Sequence, residues 1–387
     1  MRRSHPFVIC LLASLLSVTA YAQGKVPATE VVDIKAAGGV TLKASYFPAG
    51  RPGPAILLLH ACNKDRSSWT KLATDAAAQG FHVLALDFRG FGESGGPRFT
   101  QGPEQQSTID LYWPGDVDAA LAWLIGQSQV DKTRIGAAGA SCGVNQAVQL
   151  ALRHPEVKTV VLLSGAINPA GRLYLRDSPW LPVLAAASDG DGGAVDQMRW
   201  ALGWSRNPSN KFVEYKAAGH GTDMFAVEKG LEPLVVGWFN LHLRNAPAKP
   251  LAMPPSPPSP TEQFWTTLTA PGGVAKARQI YDEAKREKKR GILFPENETN
   301  LLGYQLLQDG SAKEAVEVFK LNVDAYPGSA NTYDSLSDGY LALGNREEAL
   351  RYAEKAIEML PKDAEAPDNL KTLVRESAEK KIKELKK

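Results

Sequence analysis

The sequence predicts an α/β fold with a mostly parallel sheet, followed by an all-α region. Up to about residue 245, short apolar runs alternate with helical patterns. Beyond a proline-rich stretch only helical periodicity remains, and its landmarks recur at a fixed interval.

The chain opens "MRRSHPFVICLLASLLSVTAYAQG". Arg2 and Arg3 make a positive start, an apolar run continues to Ala20, and Ala20-Tyr21-Ala22 has the form of a cleavage site. This is the pattern of a secretory signal peptide. The run is shorter than the roughly 20 residues a spanning helix needs. Residues 1–22 are expected to be removed, leaving a periplasmic or secreted protein with no membrane span. The formal net charge of +2 falls to about zero without the two arginines, so no basic excess points to nucleic acid. Beyond the signal only Cys62 and Cys142 remain, in a compartment where they could pair.

The strand candidates come in order. They are "AILLLH" (55–60), "HVLALD" (82–87), "RIGAAG" (134–139), "TVVLLS" (159–164), "PVLAAAS" (182–188) and "FVEYKAA" (212–218). Such uniformly apolar runs suit strands covered on both faces by helices. Patterns such as "WTKLATDAAAQG" and "DVDAALAWLIGQ" supply those helices.

"APAKPLAMPPSPPSP" (246–260) is an extended spacer, because proline fixes φ and donates no backbone hydrogen bond. It divides the chain into a catalytic domain at 23–245, a linker at 246–262 and a helical domain at 263–387, each expected to have its own core. In the helical domain Gly310 and Gly344, Ala315 and Ala349, and Pro327 and Pro361 are each 34 residues apart. This part, about 296–362, resembles tetratricopeptide repeats, two antiparallel helices per unit. Helices near 273–289 and 363–385 are expected to cover the ends.

"RIGAAGASCGVNQAV" (134–148) places two nucleophile types side by side, Ser141 and Cys142. Centred on Ser141, Gly139-Ala140-Ser141-Cys142-Gly143 fits G-x-S-x-G; centred on Cys142, the flanks are Ala140 and Val144, which do not fit. A nucleophile on a strained strand-to-helix turn tolerates no β-carbon two residues to either side. The helix that follows adds a favourable dipole for developing negative charge. Ser141 is therefore the candidate nucleophile.

A serine hydroxyl needs a base to take its proton. His220, in "KAAGHGTDMF", directly follows the last strand and is the candidate. His82, His154 and His242 read as structural. Between Ser141 and His220, "PVLAAASDGDGG" supplies two carboxylates, Asp189 and Asp191. Asp191 lies clear of the strand end and is preferred; Asp189 stays an alternative. The acid holds the histidine's tautomer and stabilises the imidazolium. Oxyanion donors should be the backbone N–H of Cys142 and one from "LLLHACNKDRSSW", Cys62 or else Asn63.

Residues of about 30–245 resemble the α/β-hydrolase superfamily, on "HACN", "DFRGFGES", "GASCG", "SDGD" and "GHGTD" in family order. Dienelactone hydrolase-like and esterase-like members look closest. Dienelactone hydrolase itself carries cysteine where this chain has Ser141. The resemblance implies an α/β-hydrolase fold and a Ser-His-Asp hydrolase acting through an acyl-enzyme, without metal or organic cofactor. It does not imply one substrate.

Only 17 residues separate "TVVLLS" from "PVLAAA", so an open pocket suited to small esters or short peptides is expected. Tyr174 and Trp180 are candidates for its apolar walls. Two other readings share the sequence: a serine peptidase with the same triad, and a non-catalytic protein whose helical repeats bind a protein partner or self-associate. Finally, two amides aimed at one oxyanion lie close, so the α-carbons of Cys62 and Cys142 could fall within the roughly 4.4–6.8 Å of a disulfide. Converging amides do not fix the direction of the Cβ vectors, so a bridge and two diverging thiols both remain open.

Overall fold

The computed structural model describes residues 28–99, 108–109, 111–191, 193–245, 260–286, 296–364 and 366–386. Residues 1–22, read above as a signal peptide, and most of the proline-rich linker lie outside them. No helix among the described residues is long and apolar enough to cross a membrane.

Eight strands form one sheet: β1 (Glu30–Lys35), β2 (Thr41–Phe47), β3 (Gly53–Leu59), β4 (His82–Leu86), β5 (Val130–Ala140), β6 (Val157–Leu163), β7 (Val183–Ser188) and β8 (Lys211–Tyr215). Their order is β1-β2-β4-β3-β5-β6-β7-β8. β1–β2 and β2–β4 are antiparallel, and all other pairs are parallel. Six of these are the apolar runs read from the sequence. β1 and β2 are additions. β1 is mostly exposed, so it carries little of the apolar signal that marks a buried strand.

The uniform apolarity of the central strands reflects a core on each face. Ile56 and Leu58 face one way with Val83, Val161 and Leu184, under α1 (Thr70–Ala78) and, later in the chain, Leu231–Phe239. Leu57 and Leu59 face the other way with Leu84, Val160 and Ala185. There they meet α2 (Trp113–Ile125), α3 (Cys142–Arg153), α4 (Pro169–Asp177) and α5 (Ala194–Leu202). The period-two alternation thus serves two buried faces, as parallel sheets require. With α6 as Leu231–Phe239, this is the α/β-hydrolase fold: a mostly parallel sheet wrapped by helices on both sides.

The C-terminal region is all helical: α7 (Pro260–Leu268), α8 (Val274–Arg286), α9 (Glu296–Gln308), α10 (Ala312–Ala325), α11 (Ala330–Ala342), α12 (Arg346–Met359) and α13 (Asp368–Leu385). The turns α9–α10 and α11–α12 both pass through a left-handed glycine, Gly310 at φ 76° and Gly344 at φ 75°. α13 packs Val374 and Ala378 against Ala353, Ala356 and Leu360. Its buried Lys381 reaches Asp334 and Asp338 on α11 at 2.9 and 2.7 Å.

The hydrolase region and the helical region each bury clusters of their own, and a further cluster spans the two. Trp204, just past α5, is buried in one cluster with Phe264, Trp265 and Leu268 of α7, Val274 and Ala277 of α8, and Val318 and Leu321 of α10. Leu173 of α4 and Trp200 of α5 pack on the same cluster. The first helix also starts at Pro260, inside the stretch read as linker. A proline-rich spacer predicts freedom along its own length. It says nothing of whether the faces it joins are both apolar.

Candidate active site

β5 ends at Ala140, and Ser141 turns the chain into α3. Ser141 sits at φ 51°, ψ −116°, a left-handed conformation that a side chain rarely adopts. Such a residue costs on the order of 1–3 kcal/mol and persists because its surroundings hold it. Its N–H donates to the Leu163 carbonyl at the end of β6, at 2.9 Å. The flanking glycines are required: a β-carbon on Gly139 would lie 2.0 Å from the Gly143 carbonyl oxygen, and one on Gly143 would lie 2.4 Å from that of Leu59. The start of α3 is thus pressed onto the end of β3, where the "HACN" loop begins.

In that loop the His60 ring is fully buried. The Phe88 N–H donates to Nε2 at 3.0 Å, so Nδ1 carries the proton and donates to the Ala61 carbonyl at 2.7 Å. Burial holds the imidazole pKa below its usual 6.5, against the Ala61 hydrogen bond that raises it. The Lys64 N–H also donates to the Ala61 carbonyl, at 3.0 Å, closing a turn that contains Cys62 and Asn63. Cys142 is the first residue of α3, so its N–H has no intrahelical acceptor. Cys62 and Cys142 are joined by a disulfide, with α-carbons 5.6 Å apart. The Ser141 hydroxyl lies 4.0 Å from the Cys142 sulfur.

Past β7, Asp191 places both carboxylate oxygens 2.8 Å from Nδ1 of His220. Asp189 does something else. Its carboxylate accepts the Ala217 N–H at 2.7 Å, and Ser188 Oγ accepts the Ala218 N–H at 2.7 Å. These two side chains hold the start of the His220 loop, where Ala217 is itself left-handed at φ 48°. A backbone-clamping role for Asp189 had no signal in the sequence beyond the carboxylate itself.

The His220 loop meets the nucleophile turn directly. A β-carbon on Gly221 would be 3.3 Å from Cβ of Ala140 and 3.9 Å from Cβ of Ala61. The residue after His220 therefore lies close to the residue before Ser141 and the residue before Cys62. Lys64 and Asp223 pair at 2.7 Å across the same two loops. Ser141, Cys142, Cys62, Asp191 and His220 thus converge at the C-terminal edge of the sheet.

Tyr174 and Trp180 are not brought there. The Tyr174 hydroxyl donates to the Ala151 carbonyl at 2.7 Å. Ala151 is about 15 Å along α3 from Ser141 at 1.5 Å per residue. Trp180 precedes β7 and is exposed, whereas Asp191 follows β7, so the two lie at opposite edges of the sheet. α4 aims Tyr174 at the far end of α3.

Residues 54–190 match the family model described as alpha/beta hydrolase fold. That match covers the central strands and the Ser141 turn, in keeping with the α/β-hydrolase fold of the sheet. An uncharacterised protein of Mycobacterium tuberculosis is 34% identical over 164 residues, covering 42% of this chain and 54% of its own. An uncharacterised 31.7 kDa protein of Escherichia coli is 28% identical over 154 residues, covering 37% and 51%. The chain spans about half the length of the curated relatives it matches. Among solved structures, an esterase of Pyrococcus furiosus aligns with a TM-score of 0.46 at 17% identity, covering 56% of this chain and 91% of that one. Dienelactone hydrolase of Anabaena variabilis aligns with a TM-score of 0.43 at 21% identity, covering 57% and 100%.

Proposed function

We propose that the protein is an exported serine hydrolase that cleaves small carboxylic esters through an acyl-enzyme on Ser141. The observation that carries this reading is the Asp191–His220 pair, 2.8 Å apart, on a loop that contacts the strained turn of Ser141. Nδ1 of His220 is held by the carboxylate, which leaves Nε2 to take the Ser141 proton as the hydroxyl attacks the ester carbonyl. The oxyanion forms beside the N–H groups of Cys62 and Cys142. The alcohol leaves with the proton from His220, and water, deprotonated by the same ring, releases the acid. The Cys62–Cys142 disulfide favours an oxidising compartment and so supports export by the N-terminal signal.

The 34-residue landmarks of the helical region favour tetratricopeptide-like repeats as its evolutionary type. Turnover of short-chain p-nitrophenyl esters, compared with aminoacyl anilides and with Ser141→Ala, tests the reading. Ester turnover that vanishes in Ser141→Ala is expected. Anilides cleaved faster than esters would make the protein a peptidase, and full ester turnover in Ser141→Ala would remove Ser141 from the chemistry.

A further inference from the structure

We propose that the C-terminal helices are part of the catalytic unit because they hold the helix that follows the triad acid, with Glu298 and Trp265 acting as positioning residues for Asp191. The inference rests on the Ser141–His220–Asp191 reading above.

Asp191 is tied to α5 at the backbone: its carbonyl accepts the Ala194 N–H, the first of that helix, at 2.8 Å. Any tilt or slide of α5 therefore moves the acid. In its last turn α5 carries Trp200, and Trp200 is gripped from outside the hydrolase region. Its ring lies 5.1 Å from that of Trp265 on α7. The guanidinium of Arg172, from α4, lies 4.4 Å from the Trp200 centroid and 5.2 Å from that of Trp265. Arg172 is 2% exposed and donates to Glu298 on α9 at 2.7 Å.

Arg172 thus joins α4, α5, α7 and α9 at one point. It also donates to the Ile167 carbonyl, in the loop that follows β6. In that loop a β-carbon on Gly165 would lie 2.4 Å from the Ser141 carbonyl oxygen. The same guanidinium is therefore connected to both ends of the proposed triad. Asn297 of α9 also lies near the backbone beside the acid: a β-carbon on Gly193 would come 4.0 Å from its amide nitrogen.

A buried ion pair is a poor source of net stability, since desolvation offsets most of the attraction. Its geometric demand is strict, because a buried guanidinium and carboxylate must stay in register. That combination suits positioning. A carboxylate displaced by about 1 Å loses the orienting bond to the imidazole, and misplacement on that scale costs on the order of 100-fold in rate.

The test uses the full-length chain with p-nitrophenyl acetate. Glu298→Gln and Trp265→Leu are each made in the native background and in Asp191→Asn, at a temperature where circular dichroism shows the folded state. The account expects kcat to fall at least about tenfold in the native background with KM changed less than threefold. In Asp191→Asn the same replacements should cost less than about twofold, because the group they position is already lost. Losses of equal size in both backgrounds, or folded variants with native kcat, would overturn the inference. If a single replacement does not fold, the paired Arg172→Met/Glu298→Leu variant removes both charges together and is judged by the same two comparisons. Native turnover in Ser141→Ala would instead refute the triad reading, so the two failures are distinguishable.

Discussion

Cys62 and Cys142 are bonded to each other, and both neighbour the proposed oxyanion position. The bridge joins the loop after β3 to the first residue of α3, the two backbone segments that supply the proposed donors. It closes a loop spanning 80 residues of sequence. In the chain-entropy model such a closure is worth about 4.5 kcal/mol.

The bridge predicts that denatured, unreduced protein from an oxidising compartment carries no alkylatable thiol, and that two appear after reduction. Cys62→Ala should lower the unfolding free energy by about 2–5 kcal/mol. Two alkylated thiols per chain without reduction would contradict the bridge.

The carboxylates of the β7 loop divide their work. Asp191→Asn should lower kcat by about 10⁴-fold, the scale set by the loss of a triad acid. Asp189→Asn keeps an oxygen that accepts from Ala217, so its cost should stay below about tenfold, with a lowered melting temperature. Steady-state kinetics of the two variants decides, and the reverse ranking would move the acid to Asp189.

The buried histidines set a pH dependence. Burial holds the pKa values of His60, His82 and His242 below the usual 6.5. The unfolded chain therefore takes up protons first as the pH drops. Their contribution to stability is full above pH 6.5 and is lost as pH falls through that value towards the folded pKa. Imidazole chemical shifts should show the His60 ring still mostly neutral at about pH 6, where an exposed ring is mostly protonated. A His60 ring that titrates at or above 6.5 would contradict its place as a buried acceptor for the Phe88 N–H.

Much of this was legible in the residues. The buried strands announce themselves as apolar runs, and the glycines around Ser141 announce a turn without room for β-carbons. Asp191 and His220 follow their strands at the distance a loop needs. Other features depend on directions that a sequence does not encode. Whether the Cys62 and Cys142 side chains meet is set by Cβ vectors. Tyr174 was a candidate wall of the pocket, yet α4 turns it towards Ala151. Arg172 and Glu298 are 126 residues apart, and neither belongs to a pattern that pairs them. The docking of the helical region on α4 and α5 was hidden for that reason.

The account stands or falls on Ser141 as a nucleophile activated by His220. A fluorophosphonate probe, with the adduct mapped by mass spectrometry of peptides, tests this most directly. The account predicts one labelled residue, Ser141, with no labelling in Ser141→Ala and labelling slowed by at least about 100-fold in His220→Ala. Label on another serine, or label that persists in Ser141→Ala, would contradict it.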